Sequence, residues 1–180
     1  MGNVLVTGGA GFIGHHLVDK LLSETDHSVF VLDRLDLSGD LSRLSYIKDK
    51  YPDGISDRLH IIWHDLKSPI QSLNLKRLSS ITHIFHLAAG SHVDRSIDYP
   101  IEFVMDNVVG TCNLLDFARS LPKSQLKIVA YFSTDEVFGS APTNVNYKEW
   151  DRYNSGNPYS ASKAGGEELC LAYHNTYGLP

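Results

Sequence analysis

Thr7-Gly8-Gly9-Ala10-Gly11-Phe12-Ile13-Gly14 separates an apolar run at 3–7 from a segment in which Ile13, Leu17 and Leu21 recur at four-residue spacing. A glycine-rich turn between a buried strand and an amphipathic helix sets the fold. Gly9, Gly11 and Gly14 satisfy GxGxxG, while Gly8, Gly11 and Gly14 satisfy GxxGxxG. Either spacing lets backbone amides approach a pyrophosphate, and the helix N-terminus adds unpaired N–H groups and positive potential. The plainer reading is a tight strand–helix turn; the β-α context favours phosphate binding. Ile13, Leu17 and Leu21 are expected to form the buried stripe of the first helix.

Outward from this turn, apolar runs near 3–7, 28–33, 59–64, 83–87 and 126–133 have strand length. Helical periodicity follows near 40–50, 70–79, 99–120 and 158–177. The alternation predicts an α/β fold, a doubly wound parallel sheet of Rossmann-like type with helices on both faces. Pro100 suits a first helical turn, and Asn157-Pro158 suits a cap and first residue for the last helix. Residues 139–157, with Glu149, Trp150 and Asp151, read as a loop. A further strand is expected after Gly178-Leu179-Pro180. Residues 1–180 are therefore read as one dinucleotide-binding domain, with the C-terminal substrate-binding part expected to be absent.

The chain has 180 residues, 42% hydrophobic and 21% charged, and a formal net charge of −5. These numbers fit one domain with a substantial core and give no broad basic surface for a nucleic-acid polymer. No apolar segment has bilayer-crossing length and no signal-peptide pattern precedes the first strand, so a cytoplasmic protein without a membrane role is expected. Cys112 and Cys170 are expected to be buried reduced thiols. Nine histidines show no metal-site spacing, so no metal is expected.

Asp33 ends the second strand, where a carboxylate can accept hydrogen bonds from an adenosine ribose. That favours NAD over NADP, unless Arg34 turns inward and offsets the charge of a 2′-phosphate. A solvated strand-end carboxylate is the plainer reading. Asp65, followed by Leu66 after the third strand, is a candidate contact to the adenine edge, with turn capping as its alternative.

Tyr159-Ser160-Ala161-Ser162-Lys163 puts a tyrosine and a lysine on one helical face. Bringing a phenol from pKa ~10 to neutrality costs about 4 kcal/mol, which a lysine and an oxidised nicotinamide can supply. Such pairs are also common on ordinary surfaces. Ser133-Thr134-Asp135-Glu136-Val137-Phe138-Gly139 follows the fifth strand at the edge where open α/β sheets place ligands. Thr134 can orient a substrate hydroxyl. Asp135 and Glu136 read either as turn carboxylates or as separate acid and base.

Together TGGAGFIG, HLAAGSHVDRS, STDEVFG and YSASK resemble the extended short-chain dehydrogenase/reductase family, and within it the nucleoside-diphosphate-hexose 4,6-dehydratases, over essentially the whole chain. The resemblance implies NAD as cofactor and a nucleoside-diphosphate-hexose as substrate. It implies Thr134, Tyr159 and Lys163 as the oxidation–reduction group, Asp135 as acid and Glu136 as base. Ala88, Ala89 and Asn107 match positions around the cofactor or its support. Gly90 departs from the acidic residue common at that point in many dehydratases. A homodimer built on the segments near 99–120 and 158–177 is also implied. A sugar-nucleotide 4-epimerase and a noncatalytic NAD-binding fragment are the competing expectations.

Overall fold

A computed structural model of the chain describes residues 2–51 and 54–180. Strands β1 (Asn3–Thr7), β2 (Ser28–Asp33), β3 (Leu59–Trp63), β4 (His83–His86) and β5 (Ile128–Tyr131) form one sheet in the order β3-β2-β1-β4-β5. Every pairing is parallel, with Val4 opposite both Val29 and His83. Side chains alternate across β1, so Val4 and Val6 enter one core layer and Leu5 the other. The first layer packs Val29 and Val31 against Val18 and Leu22 of helix α1 (Phe12–Glu24) and Leu44 and Ile47 of α2 (Leu41–Lys50). On the opposite face Leu5, Leu32, Ile62 and Ile84 meet Leu114, Phe117 and Ala118 of the helix spanning Gly110–Ser120. Helices on both faces and reversal of strand order beside β1 give the doubly wound Rossmann-like fold.

The strands lie close to their expected positions, but β5 is shorter than 126–133 and the helices differ in three ways. A short α3 (Ser72–Arg77) fills the third crossover. Helix α4 (Val93–Asp98), too short for a periodic signal, precedes the expected fourth helix. That fourth helix is three pieces, α5 (Pro100–Val104), a π turn at Met105–Val109 and α6 (Gly110–Ser120). The last helix, α7 (Pro158–Tyr177), begins where expected: the Asn157 side chain accepts from Ser160 N–H, Ser160 reciprocates to Asn157 N–H, and Pro158 needs no partner. Beyond α7, Val129 N–H on the outer edge of β5 donates to Pro180 O at 3.0 Å.

The buried stripe of α1 is corrected by one position, to Gly14, Val18 and Leu22; Ile13 is 63% exposed, and Leu17 and Leu21 only border the core. Gly14 faces inward because the helix starts against the turn, where a Cβ would stand 2.8 Å from Gly9 Cα and closer still to Gly8 O. The cysteines are free, but half-buried rather than buried. Among the described residues no helix is long and apolar enough to cross a membrane.

The packing at Gly14 makes Gly14→Ala costly, by about 1–3 kcal/mol of overpacking. Gly156→Ala, where a Cβ meets nothing within 4 Å, should be close to neutral. Urea midpoints for the two variants would test this, and equal midpoints would show that the turn yields freely.

Candidate functional site

The C-terminal ends of β1, β2, β3 and β4 open into a cleft of about 600 Å³ floored by the glycine turn. Gly8 takes φ +69°, and a side chain there would run into the Ala88 backbone. Its N–H donates to Leu32 O at 2.9 Å, and Gly11 N–H closes the turn on Gly8 O at 3.0 Å. No side chain caps α1 and its first turn has no acid, so its free N–H groups and positive end face the cleft. Phe12 and Ile13, exposed at 72% and 63%, line the same wall. The arrangement suits a phosphate group with an apolar neighbour.

Asp33 is 7% exposed and its carboxylate fixes the turn to the second strand. Oδ2 accepts from Ala10 N–H at 2.9 Å and Oδ1 from Leu35 N–H at 2.8 Å. The carboxylate still borders the cleft and has lone pairs to spare for hydroxyl donors. Arg34 does not turn toward it: its guanidinium pairs with Asp106 and Asp36. Asp65 both caps its turn, accepting from Lys67 N–H at 3.0 Å, and lines the cleft beside Leu66.

A buried polar chain connects this cleft to α7. Ala88 N–H donates to Thr7 Oγ1, which faces His86 Nδ1 at 2.7 Å. His86 Nε2 faces Thr111 Oγ1 at 3.0 Å, and Thr111 donates to Asn107 O at 2.6 Å. With the Thr111 proton committed, Nε2 carries the histidine proton and Nδ1 accepts from Thr7; the tautomer follows from the network. Asn107, in the π turn, donates from Nδ2 to Gly90 O and Ser162 Oγ and accepts at Oδ1 from Gly90 N–H. Ser162 then donates to Tyr159 O at 2.7 Å. Complete burial holds His86 neutral, pushing its pKa down to about 3, with nearby Lys163 adding to the effect.

Tyr159 and Lys163 line the cleft on its α7 side. Tyr159 N–H donates to Ser96 Oγ at 3.0 Å, and its ring meets Phe103 edge-on at 6.4 Å. Lys163 is 4% exposed, donates to Phe132 O and stands 4.2 Å over the Tyr131 ring. Burial pulls its ammonium down to about 8. A lysine with that pKa still carries most of its positive charge near neutrality, which suits lowering the cost of a phenolate.

Thr134, Asp135 and Glu136 sit beyond Ser133 on a single-turn 3₁₀ helix, Asp135–Phe138. Thr134 Oγ1 accepts from Glu136 N–H at 3.3 Å, Asp135 is exposed, and Glu136 Oε2 accepts from Asn157 Nδ2 at 3.0 Å. None of the three lines the cleft, although Ser133 directly before them does. The cleft brings together Gly8, Gly11, Gly14, Asp33, Ala88 and Ala89 with Tyr159 and Lys163. Gly9 instead packs on Val31, and Asn107 is buried behind the wall as a support. Sequence reasoning missed Thr7, His86, Thr111 and the Arg34–Asp106 pair. His86 and Thr7 carry a faint signal, a polar residue at an inward strand position; the others carry none. Among the described residues no group of His, Cys, Asp or Glu is arranged to hold a metal ion.

The family model for GDP-mannose 4,6 dehydratase matches residues 5–180. The dTDP-glucose 4,6-dehydratase of Escherichia coli is 38% identical over 98% of this chain and 51% of its own length. The structure of DesIV, a dTDP-glucose 4,6-dehydratase from Streptomyces venezuelae with NAD and TYD bound, superposes with a TM-score of 0.86 at 38% identity, covering 98% of this chain and 53% of that one. A UDP-N-acetylglucosamine 4-epimerase from Methanobrevibacter ruminantium superposes at 0.82 with 32% identity, covering 99% and 52%. The chain thus spans about half the length of the curated relatives it matches.

Neutral His86 has a consequence for acid stability. Unfolded, it takes up a proton near pH 6.5; folded, it resists until about pH 3. Its contribution is whole above about pH 6.5 and is lost as pH falls toward 3. Between about pH 7.5 and about pH 5 the native sequence should lose about 2 kcal/mol more than His86→Gln, which cannot titrate. Urea unfolding at the two pH values measures the difference, and parallel losses would contradict the neutral assignment.

Proposed function

This chain belongs to the GDP-mannose 4,6 dehydratase family, and from that premise we propose that it is the NAD-binding, catalytic-motif portion of a nucleoside-diphosphate-hexose 4,6-dehydratase. The observation that carries the reading is one cleft shared by an anion-ready glycine turn, a strand-end carboxylate and the Tyr159–Lys163 pair, with adjacent Asp135 and Glu136 on the turn that follows its lining residue Ser133. NAD fits this cleft: Gly8 and Gly14 leave no room for side chains under a pyrophosphate, the first turn of α1 has no acid to repel it, and Asp33 awaits ribose hydroxyls.

NAD, held by the glycine turn and Asp33, would supply the hydride acceptor for oxidation at the sugar's C4 and the donor for reduction at C6. Tyr159 takes the C4 hydroxyl proton, helped by the charge of Lys163, and Thr134 orients that hydroxyl. A carbonyl at C4 acidifies the neighbouring C5 hydrogen, which Glu136 removes. Asp135, an exposed carboxylate, protonates the departing C6 oxygen, which leaves as water. With hydride delivered to C6 and the proton on Glu136 returned to C5, the product is a 4-keto-6-deoxy sugar. The adjacent acids separate this reading from a 4-epimerase, which inverts C4 without losing water. The same reading carries a cytoplasmic homodimer, with Ile101 and Val104 of α5 exposed for a partner copy.

A panel of nucleoside-diphosphate-hexoses offered to the complete protein should yield, for one member, a product lighter by one water with NAD regenerated. C4 inversion at unchanged mass would support the epimerase, and NAD binding without product the noncatalytic fragment. Light scattering should give twice the subunit mass.

Glu136→Gln in the complete protein should keep NAD binding and C4 oxidation but slow elimination by about 10²-fold or more. Rapid-mix absorbance should then show reduced cofactor accumulating, and exchange of the C5 hydrogen with heavy water should fall. Undiminished exchange would move the base to Asp135 or elsewhere.

A further inference from the structure

Arg34 follows Asp33 directly and lines the same cleft, yet its cationic nitrogens are engaged elsewhere. Nη1 and Nη2 donate to Asp106 Oδ1 and Oδ2 at 2.6 and 3.0 Å, and Nε donates to Asp36 Oδ2 at 2.6 Å. The Asp106 side chain is only 12% exposed and reaches Arg34 from the π turn, 72 residues away in sequence. Trp63 Nε1 donates to Arg34 O at 3.0 Å and holds the backbone there. Asp65 lies 4.0 Å from Nη1, and Lys67 stands 3.9 Å from Asp106. Burial disfavours the guanidinium charge, but Asp106 and Asp36 more than offset this and hold Arg34 firmly charged.

A guanidinium beside the ribose site is the natural partner of a 2′-phosphate, which it can grip with two parallel hydrogen bonds. Here that fork is filled by a carboxylate. To serve a 2′-phosphate, Arg34 would have to leave Asp106, in a nearly closed position, with only Lys67 at 3.9 Å in place of a bidentate partner, which is costly.

We propose that Asp106 is a specificity-determining residue acting through position: it holds Arg34 in a bidentate pair away from the ribose edge, so that Asp33 can exclude NADP. The inference rests on the reading of the cleft as an NAD site. It divides cofactor choice between Asp33, which repels the extra phosphate, and Asp106, which occupies the cation that would otherwise welcome it.

Asp106→Asn keeps the size and one acceptor but removes the charge and the second acceptor. Calorimetry on the complete protein with NAD and with NADP should show NADP affinity rising about tenfold, with NAD affinity within about threefold of the native value. The gain should weaken with added salt and vanish in the double variant Arg34→Ala/Asp106→Asn. Should Asp106→Asn fail to fold, Arg34→Lys offers the same test, since a lysine cannot keep the fork-to-fork pair and leaves a movable cation near the ribose; NADP affinity should rise there too. An unchanged NADP-to-NAD ratio, or equal losses of both, would overturn the proposal and leave Asp106 a purely structural partner. A native protein that binds NAD while the ratio stays fixed sinks this inference alone; one that binds neither dinucleotide sinks the NAD reading and this inference with it.

Discussion

The hydrogen-bonded chain through buried His86 is the constraint on which the arrangement of the cleft depends. It joins the end of β1 at Thr7, the end of β4 at His86, α6 at Thr111, the π turn at Asn107 and α7 at Ser162. Each member is nearly or wholly closed to solvent, so an unmet donor or acceptor would cost about 1–3 kcal/mol. Among the described residues every buried side-chain polar atom has a partner. A satisfied buried network favours one arrangement of its elements over its neighbours. The glycine turn and the Tyr159–Lys163 face are thereby held in a fixed relation although they come from opposite ends of the chain.

The π turn follows from that constraint. A continuous α-helix over 100–120 would direct Asn107 and its carbonyl differently. The wider turn at Met105–Val109 lets Asn107 reach Gly90 and Ser162 while its carbonyl accepts from Thr111. The same turn presents Asp106 to Arg34. One local irregularity thus serves the support of α7 and the charge balance beside Asp33. Gly90 belongs to this corner: a Cβ there would approach Phe103 at 3.0 Å and Asp106 Oδ2 at 3.4 Å. The acidic residue usual at that point in many dehydratases would crowd this ring and meet a carboxylate already in place.

Rigidity and reactivity are separated in space. The cleft walls are backbone turns and buried side chains, fixed by strand ends and helix starts. The acid and base candidates stand on a short 3₁₀ turn after Ser133, where Asp135 is exposed and Glu136 has one side-chain partner from the loop before α7.

Local signals were enough for the doubly wound sheet, for β2 at 28–33, for α7 at 158–177 with its Asn157-Pro158 start, and for the glycine turn. These rest on side-chain period, on capping and on the space a Cβ needs, all of which act over a few residues. The inward face of α1 was displaced by one position because Gly14, with no side chain to count as apolar, is the residue that meets the turn. Helix α4 and the break at 105–109 left no periodic trace. The Arg34–Asp106 pair, the neutral state of His86 and the low pKa of Lys163 were decided by the tertiary structure alone. Each depends on burial or on a partner far away in the chain, and electrostatic energy follows distance and solvent access, which a sequence lists for no pair of residues until the chain has folded.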